Sequence, residues 1–379
     1  MPRIMHTADV HIMNPSHPNY EESLSSLNKA VDAFEETESD FLAISGDLFD
    51  SGNPKPEAVA RVREAMRRIP KNRVVISGGN HEQQGVFSDH RNPIDAYLAQ
   101  DPWCRASVDG QPQNIEIDGF QFLVTPWARV AGASQVQSTE EILKQRIAEL
   151  ASQIDGKPSL LMGHIALEEA SFSHPERRGS EQSMMTSMTE ALVGADFLDA
   201  LPVSLWRLGH IHKRQDLGSR GGGYVGSAYK VNFGERHEAK GFDIIDIDEK
   251  GNASLDFHQI RVRELVQINL IEEPRGLKLL VENLREGDRV RLIEDPDAQR
   301  TSTQEKYISE LSRMGVDLEY RQIVKEVAQK VYLSGLTTES SPVDAMRQYI
   351  NGDDSMDPET ASRRMNRFSD ILTRVNEGE

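Results

Sequence analysis

The sequence has 379 residues and a formal net charge of −18 at pH 7. Its 37% hydrophobic and 27% charged residues are typical of a globular protein and exclude a disordered or fibrous chain. No apolar run is long enough to cross a bilayer, and the start MPRIMHTADVH lacks the layout of a signal peptide, so we expect a cytoplasmic protein without a membrane-spanning segment. The single cysteine, Cys104, excludes an intramolecular disulfide and a cysteine-rich zinc site.

The acidic net charge argues at first against a nucleic-acid partner, because contacts from Lys and Arg to phosphates supply most of that affinity. Bound dications and a local basic strip would reverse the sign of the potential where a phosphate binds. The net charge therefore does not exclude DNA.

Eight short apolar runs, each followed by a polar or glycine-rich turn, predict buried strands. In chain order these runs are RIMHTAD, DFLAISGD, RVVISGGN, FQFLVTP, PSLLMGH, SLWRLGH, GYVGS and GFDIIDID. Three segments between them carry apolar residues at helical spacing: Leu24, Leu27, Val31 and Phe34; Val59, Val62, Met66 and Ile69; and Ile142, Leu143, Ile147, Leu150 and Ile154. Alternating strands and helices predict a layered α/β domain, which we place at residues 1–262.

The pattern changes after this domain. RELVQINLI, DRVRLIED and DLEYRQIV predict strands, and PRGLKLLVENLRE and TQEKYISELSRMG predict helices, so we expect a small α+β domain over residues 263–334. The remaining residues, 335–379, contain a Ser-Pro helix start and a tail with Ala361, Met365, Phe368, Ile371 and Leu372 on one helical face. Such an apolar face needs a surface to pack on, which predicts a C-terminal helical segment with a partner.

Polar residues follow five of the predicted strands at the point where each strand ends. These residues are Asp9 and His11, Asp47 and Asp50, Asn80 and His81, His164, and His210 with His212. Because ligands of open α/β sheets bind at the carboxyl ends of strands, we expect these side chains to converge in one cleft. The other six histidines are interpreted as ordinary surface or core residues: His6, His17, His90, His174, His237 and His258.

The convergent set predicts a metal centre. Two aspartates, one asparagine and four histidines can supply oxygen and imidazole ligands to two adjacent divalent ions, most favourably manganese, with magnesium as the alternative. A pair of ions roughly 3.5–4 Å apart activates water and stabilises the charge on a phosphoryl group during in-line displacement. Asp47 is the natural bridge, because its carboxylate has two oxygens and the preceding glycine permits a sharp turn.

The blocks DVH, GDLFD, GNHE, GH and GHIH, in this order, resemble the five signature blocks of the calcineurin-like metallophosphoesterases. The resemblance implies a β-sandwich flanked by helices and a division of the ligands between two ions. One ion would be held by Asp9, His11, Asp47 and His212, and the other by Asp47, Asn80, His164 and His210. The resemblance also implies that His81 protonates the leaving oxygen, a role suited to a side chain whose ordinary pKa is near neutral.

Further stretches, IMHTADVHI, GDLFDSGNPKPEAV and GSAYKVNFGE followed by KGFDIIDID, resemble the SbcD-type nucleases, which are partners of SbcC-type ATPases in double-strand-break processing. This resemblance implies a DNA exonuclease and endonuclease that acts in repair and recombination. It implies that residues 263–334 form a DNA-capping domain and that residues 335–379 dock a coiled-coil ABC-type ATPase. It also implies a homodimer, built by helices such as those in residues 56–70 and 91–100, although an internal core face explains these helices equally well.

Two positions depart from the commonest family pattern. Asp50 stands where some relatives carry a second catalytic histidine, and we include it with His81 among the candidate catalytic residues. Glu82 stands where an aspartate is commoner, which we interpret as tuning of the surroundings of the ligands.

Basic residues near the predicted cleft are candidate contacts for a DNA backbone. They are Arg207, Lys213, Arg214, Arg220 and Lys230, together with Arg177 and Arg178 in SHPERRGSEQSMM, a predicted mobile loop. From these we select Arg177, Arg178, Lys213 and Arg214. The alternative interpretation is a solvated face of mixed charge.

Two other functions remain open at this point. A stand-alone phosphatase or cyclic-nucleotide phosphodiesterase would share the metal site but would not need residues 263–379. A scaffold with a silent metal site would require the loss of a ligand or of the acid, and none is missing from the sequence.

Overall fold

The computed structural model describes residues 1–82, 92–98, 101, 104–107, 112–128, 136–154, 156–171, 191–270, 283–294 and 300–322. The strands are β1 (Arg3–Thr7), β2 (Phe41–Ser45), β3 (Val74–Ser77), β4 (Cys104–Ser107), β5 (Gln113–Ile117), β6 (Phe120–Thr125), β7 (Ser159–His164), β8 (Ala166–Leu167), β9 (Leu192–Val193), β10 (Leu205–Gly209), β11 (Gln215–Asp216), β12 (Gly223–Tyr224), β13 (Lys240–Ile247), β14 (Ala253–Ile260), β15 (Leu265–Asn269), β16 (Arg289–Glu294) and β17 (Asp317–Gln322). The helices are α1 (Tyr20–Glu36), α2 (Pro56–Met66), α3 (Pro93–Tyr97), α4 (Val136–Ala151), α5 (Ala195–Asp199) and α6 (Ser302–Arg313), and Phe233–Glu235 forms a 3-10 turn.

Two six-stranded sheets face each other. The first has the order β14-β13-β1-β2-β3-β4, with β1 to β4 parallel, and the second has the order β11-β12-β10-β7-β6-β5, with β12, β10, β7 and β6 parallel. Apolar side chains from both sheets, including Ile4, Phe41, Phe122 and Leu160, form the core between them. Burial on both faces explains why these strands read as continuous apolar runs rather than as alternating ones.

Helices cover the outer faces of the two sheets. Helices α1 and α2 pack on the first sheet, and α4 and α5 pack on the second. The resulting layers, helix–sheet–sheet–helix, confirm the predicted layered α/β fold with a flanked sandwich. One assignment was wrong: Ile142 is 49% exposed, whereas its neighbour Leu143 is buried. Adjacent helix positions are about 100° apart around the axis, so α4 cannot bury both.

All eight strands predicted for the first domain are confirmed. Among the strands that the sequence did not predict, β4, β5, β11 and β14 lie at the edges of their sheets, and β8 with β9 form a two-stranded pair of two residues each. Strands β5 and β14 are largely exposed or half-buried. Edge strands of this kind lack the apolar runs that mark the central ones.

Strands β15, β16 and β17 form a three-stranded sheet in that order, and α6 packs on it; we call these four elements the small module. Its core includes Ile268, Val290, Leu292, Ile308 and Leu311. A capping box, in which Thr301 and Gln304 bond each other's main-chain N–H groups, begins α6. The three predicted strands and the TQEKYISELSRMG helix are confirmed.

The helix predicted over PRGLKLLVENLRE falls largely on residues 271–282, which lie outside the described residues, as does the predicted helical segment 335–379. The chain divides into one compact unit of Met1–Leu292 with Arg300–Tyr320 and a second of Ile293–Gln299 with Arg321–Glu379. Of the second unit, residues 293–294 and 321–322 are described. No helix among the described residues is long and apolar enough to cross a membrane.

Candidate metal centre

The carboxyl ends of β1, β2, β3, β7 and β10 meet at one edge of the sandwich. They bring together all seven predicted ligands: Asp9, His11, Asp47, Asn80, His164, His210 and His212. Six of the seven are buried, and the side chain of His212 is 10% exposed. The position of each residue at or just after the end of a strand therefore accounts for their meeting at this edge.

The backbone at this edge is held in an uncommon conformation. Asp9, His11, Asp47 and His210 have φ angles of 50°, 43°, 49° and 98°, in the left-handed region that side-chain-bearing residues rarely adopt. Main-chain bonds from Asp9 N to Gly46 O (3.1 Å) and from His11 N to Asp47 O (2.9 Å) tie the two loops together. Backbone strain of this kind persists only where the surrounding structure stabilises it, and it is concentrated at functional sites.

Two glycines allow the loops to approach the site. Gly46 has a φ of 84°, and a Cβ atom there would lie 2.2 Å from His164 Nδ1. A Cβ atom at Gly79 would lie 2.1 Å from Asp47 Oδ1. The glycines of GDLFD and GGNHE are thus required by close packing against two predicted ligands.

One group of ligands, which we call the buried end, consists of Asn80, His164 and His210. His164 Nε2 lies 2.9 Å from Asn80 Oδ1 and 3.1 Å from His210 Nδ1. His164 Nδ1 donates to the main-chain oxygen of Ser45 (2.9 Å), so Nε2 is the ring nitrogen that faces the site and would bind a cation in place of its proton. The buried end is therefore fixed by the main chain of β2.

The other group, the open end, consists of Asp9, His11 and His212. His11 Nε2 lies 3.0 Å from His212 Nε2, and ligand atoms of all three residues lie within 4.8 Å of one another. His212 Nδ1 donates to the carboxylate of Glu235 (3.0 Å), so its Nε2 lone pair also points at the site.

Asp47 lies between the two ends. Its Oδ2 atom is 3.4 Å from His164 Nε2 and 3.7 Å from His11 Nε2, as the predicted bridge requires. Burial acts to raise the pKa of Asp47, but His164, then His81 and His11, lower it well below its ordinary value. Asp47 is therefore ionised and able to face both ends.

The donor set fits two divalent cations. At each end two imidazole nitrogens face each other at about hydrogen-bond distance, 3.0 Å and 3.1 Å, as ligands do around a shared cation. Burial acts to lower the pKa of His164, yet Asp47 and Asp9 outweigh it and raise that pKa to about 10. A potential negative enough to hold a proton so tightly also attracts a metal cation.

His81 lies beside the bridge. Its main-chain N–H donates to Asp47 Oδ1 (2.9 Å), and its Nδ1 donates to the main-chain oxygen of Asp50 (3.0 Å). Its Nε2 atom lies 3.9 Å from Asp47 Oδ2, on the side of the ligands. The carboxylate of Asp50 is 3.2 Å from His11 Nδ1 and 3.5 Å from His81 Nδ1. The structure thus brings both candidate catalytic residues to the open end.

Glu82 contacts main chain rather than a ligand atom. Its carboxylate accepts from Phe49 N (2.9 Å) and from Gly79 N (2.7 Å), which joins the GDLFD loop to the GGNHE loop. Burial and the neighbouring charge of Asp47 raise the pKa of Glu82 to about 7. The residue sets the spacing of the two loops that carry the bridge and Asn80.

A buried ion pair supports the open end, and sequence reasoning gave it no role. Glu235 accepts from His212, from Ser227 Oγ (3.0 Å) and from Lys240 Nζ (2.8 Å). Lys240 Nζ also donates to the main-chain oxygen of His212 (3.0 Å). In the sequence this support was marked by the glutamate of GSAYKVNFGE. The ligand that Glu235 holds, His212, lies 23 positions earlier in the chain.

The candidate DNA-contacting residues have different surroundings. Lys213 Nζ bonds the hydroxyl of Ser171 (3.2 Å), whereas Arg214 pairs with the buried carboxylate of Asp243 (3.2 Å). Arg207 and Lys230 are buried in ion pairs with Asp243 and Glu264, so the suggestion that they contact DNA was wrong. Arg177 and Arg178, with the predicted mobile loop, lie outside the described residues.

The family model for calcineurin-like phosphoesterases matches residues 2–214. The chain is also 24% identical over 287 residues to the SbcD subunit of the nuclease SbcCD of Staphylococcus epidermidis, covering 71% of this chain and 72% of that protein. Similar solved structures include a dimetal phosphatase from Danio rerio (TM-score 0.41, 13% identity, 69% of this chain and 96% of that chain) and the purple acid phosphatase PPD1 from yellow lupin (TM-score 0.43, 14% identity, 69% and 52%). Since the matched residues make up more than half of the chain and include every candidate ligand, the chain belongs to the calcineurin-like phosphoesterase family.

Proposed function

We propose that this chain is a metal-dependent DNA nuclease and the nuclease subunit of a repair complex of the SbcCD kind. The observation that carries the proposal is the sequence likeness to the SbcD protein. That likeness covers 71% of this chain and 72% of that protein. The stretch GSAYKVNFGE, which resembles the SbcD-type nucleases, supports the nuclease over a stand-alone phosphatase of the same family.

Divalent ions, manganese in this proposal, would be held at the open end by Asp9, His11, Asp47 and His212 and at the buried end by Asp47, Asn80, His164 and His210. When bound, they lower the pKa of an attacking water and stabilise charge on phosphoryl oxygens. His81 then supplies a proton from Nε2 to the leaving oxygen, because its Nδ1 is committed to the oxygen of Asp50. Asp50 acts as a positioning residue for the rings of His11 and His81.

DNA would approach over the open end. Lys213 follows the ligand His212 directly, and its ammonium group contacts a neutral hydroxyl, so its charge can be neutralised by a phosphate. The guanidinium of Arg214 is already paired with Asp243 and stacked 4.6 Å from the centre of the Phe257 ring. We therefore expect Lys213→Ala to weaken DNA binding more than Arg214→Ala.

Cleavage of linear duplex DNA, single-stranded DNA and a small chromogenic phosphodiester in Mn²⁺ tests the proposal. His81→Gln should keep its metal content and lose about 100- to 10,000-fold in rate. His258→Gln, which changes a half-buried histidine on an edge strand, is the matched control and should cleave normally. Cleavage of the small ester alone by the wild type would contradict the nuclease and favour the phosphatase or phosphodiesterase.

The proposed docking segment, residues 335–379, lies outside the described residues. We propose that residues 335–379 dock an SbcC-like ATPase at the base of its coiled coil and that the chain forms a homodimer, with residues 263–334 shaping access of DNA to the metal centre. Truncation after residue 336 should abolish binding of the ATPase fragment and leave Mn²⁺-dependent cleavage of the small ester intact. Unchanged binding by the truncated protein would contradict the docking proposal.

A further inference from the structure

The 3-10 turn Phe233–Glu235 lies between the metal centre and the small module. Asn232 fixes its shape, because its side chain accepts from Gly234 N (2.8 Å) and donates to the Glu235 carboxylate (3.0 Å). Arg236 donates to the main-chain oxygen of Phe233 (3.0 Å). The turn is therefore a small rigid body whose two end residues face different partners.

The Glu235 side of the turn faces the metal centre. Glu235 is buried and holds His212 Nδ1, and Lys240 balances its charge. Burial acts to raise the pKa of Glu235, but Lys240 and His212 lower it well below its ordinary value. The carboxylate is thus ionised, and its position sets the direction in which His212 Nε2 points.

The Phe233 side of the turn faces the small module. The guanidinium of Arg291, on β16, lies 3.7 Å from the centre of the Phe233 ring, and its N–H groups donate to the carboxylate of Glu319 on β17 (2.9 Å). Both Phe233 and Arg291 are buried, which strengthens a cation–π contact. A second tie joins Lys230, just before the turn, to Glu264, just before β15 (2.6 Å).

We propose that this turn couples the position of the small module to the metal ligand His212, and that Arg291 is a positioning residue for the open end. The proposal rests on the assignment of His212 as a ligand in the proposed function. Displacement of β16 moves Phe233, the rigid turn moves Glu235, and Glu235 reorients His212. Any DNA or partner protein that shifts the small module would then change the metal affinity of the open end while the buried end stays unchanged.

Strand β16 offers a matched pair of variants. Arg291 and Arg289 both pair with acidic residues of β17, Glu319 and Asp317, but Arg291 alone of the two stacks on Phe233. Calorimetric titration with Mn²⁺ should show that Arg291→Gln lowers one of the two Mn²⁺ affinities about 3- to 10-fold and leaves the other unchanged. The loss should be smaller than the roughly 10- to 100-fold expected when a residue that bonds a ligand directly is changed. Arg289→Gln should change neither affinity, and Arg291→Lys, which keeps a cation over the ring, should restore the affinity that Arg291→Gln lowers.

A second measurement uses the unmodified chain and does not depend on any variant folding. Because coupling is reciprocal, Mn²⁺ should slow hydrogen exchange at amides of β16 and leave exchange on the edge strand β14 unchanged. Equal Mn²⁺ affinities for Arg291→Gln and Arg289→Gln would overturn the coupling, as would an exchange rate on β16 that does not change with Mn²⁺. If the wild type binds two ions in that case, the assignment of the metal centre is unaffected. A wild-type chain that binds no Mn²⁺ would overturn the metal assignment and the coupling with it.

Discussion

The two ends of the metal centre are built from similar ligands but supported differently. At the buried end His164 is fixed by the main-chain oxygen of Ser45, and the glycine at position 46 leaves no space between loop and ring. At the open end His212 is fixed by the side chain of Glu235, and Asp50, beside His11, is 38% exposed. A ligand fixed by main chain can move only if the sheet moves, whereas one fixed by a side chain follows whatever moves that side chain. We therefore expect a constant buried end and an adjustable open end.

The largest effect is expected from a substitution at Asp47, the residue that the two ends share. Asp47→Asn should weaken both ions, because the bridging charge is lost, and cleavage should fall about 1,000-fold or more. Metal content after dialysis, measured with the rate of DNA cleavage, distinguishes this variant from His81→Gln, which keeps both ions. If Asp47→Asn still binds two ions tightly, Asp47 is not a ligand shared by the two ends.

The rigidity of the buried end can be broken at Gly46. In Gly46→Ala the left-handed φ costs about 1–2 kcal/mol and the overlap with His164 about 1–3 kcal/mol more, so the free energy of unfolding should fall by roughly 3 kcal/mol. Gly119→Ala is the control, since its φ of 82° is similar but a Cβ atom there meets nothing within 4 Å. Urea unfolding in EDTA measures the free energy of unfolding of both variants. Equal losses would mean that the ring of His164 moves easily to make room for the added Cβ atom.

The side-chain support of the open end can be weakened at Glu235. Glu235→Gln should lower Mn²⁺ affinity at the open end about 10- to 100-fold and leave the buried end within about twofold. Glu238→Gln is the matched control, because Glu238 also pairs with Lys240 (2.8 Å) but Glu235 holds His212. Isothermal titration of each variant with Mn²⁺ gives both affinities, and an equal loss at both ends would contradict a separate support for the open end.

The layer beneath the buried end should respond to pH. His6 Nε2 lies 2.7 Å from Ser45 Oγ, and burial, with the charge of Arg207, lowers the pKa of His6 to about 3. Between that pKa and the ordinary value of about 6.5, the unfolded chain binds one more proton than the folded chain. The contribution of His6 to stability is therefore complete above about pH 6.5 and falls as the pH drops, by at most about 1.4 kcal/mol per pH unit.

Removal of that titrating group should flatten the pH dependence. His6→Gln should reduce the slope of the metal-free unfolding free energy between pH 6 and pH 4 by about 1 kcal/mol per unit, as measured by urea unfolding. His258→Gln on β14 should leave the slope closer to that of the wild type. An unchanged slope in His6→Gln would show that His6 is accessible to protons in the folded chain.

The central sheets and the ligands could be predicted because both follow local rules. Buried parallel strands are continuous apolar runs, and a ligand such as Asp9 or Asn80 follows its strand within a few residues. The support of the open end could not be predicted, because Glu235, Lys240 and Arg291 meet only after the chain has folded. The expectation that Arg207 contacts DNA was wrong for the same reason. A charged side chain predicts a surface position, but two carboxylates hold the guanidinium of Arg207 in the interior.

Anomalous scattering at the manganese edge, from crystals grown with Mn²⁺, tests the two-ended metal centre most directly. We predict two peaks, one among Asn80, His164 and His210 and one among Asp9, His11 and His212, both within reach of Asp47 and roughly 3.5–4 Å apart. A single peak, or a peak held instead by His11, Asp50 and His81, would contradict the two-ended metal centre.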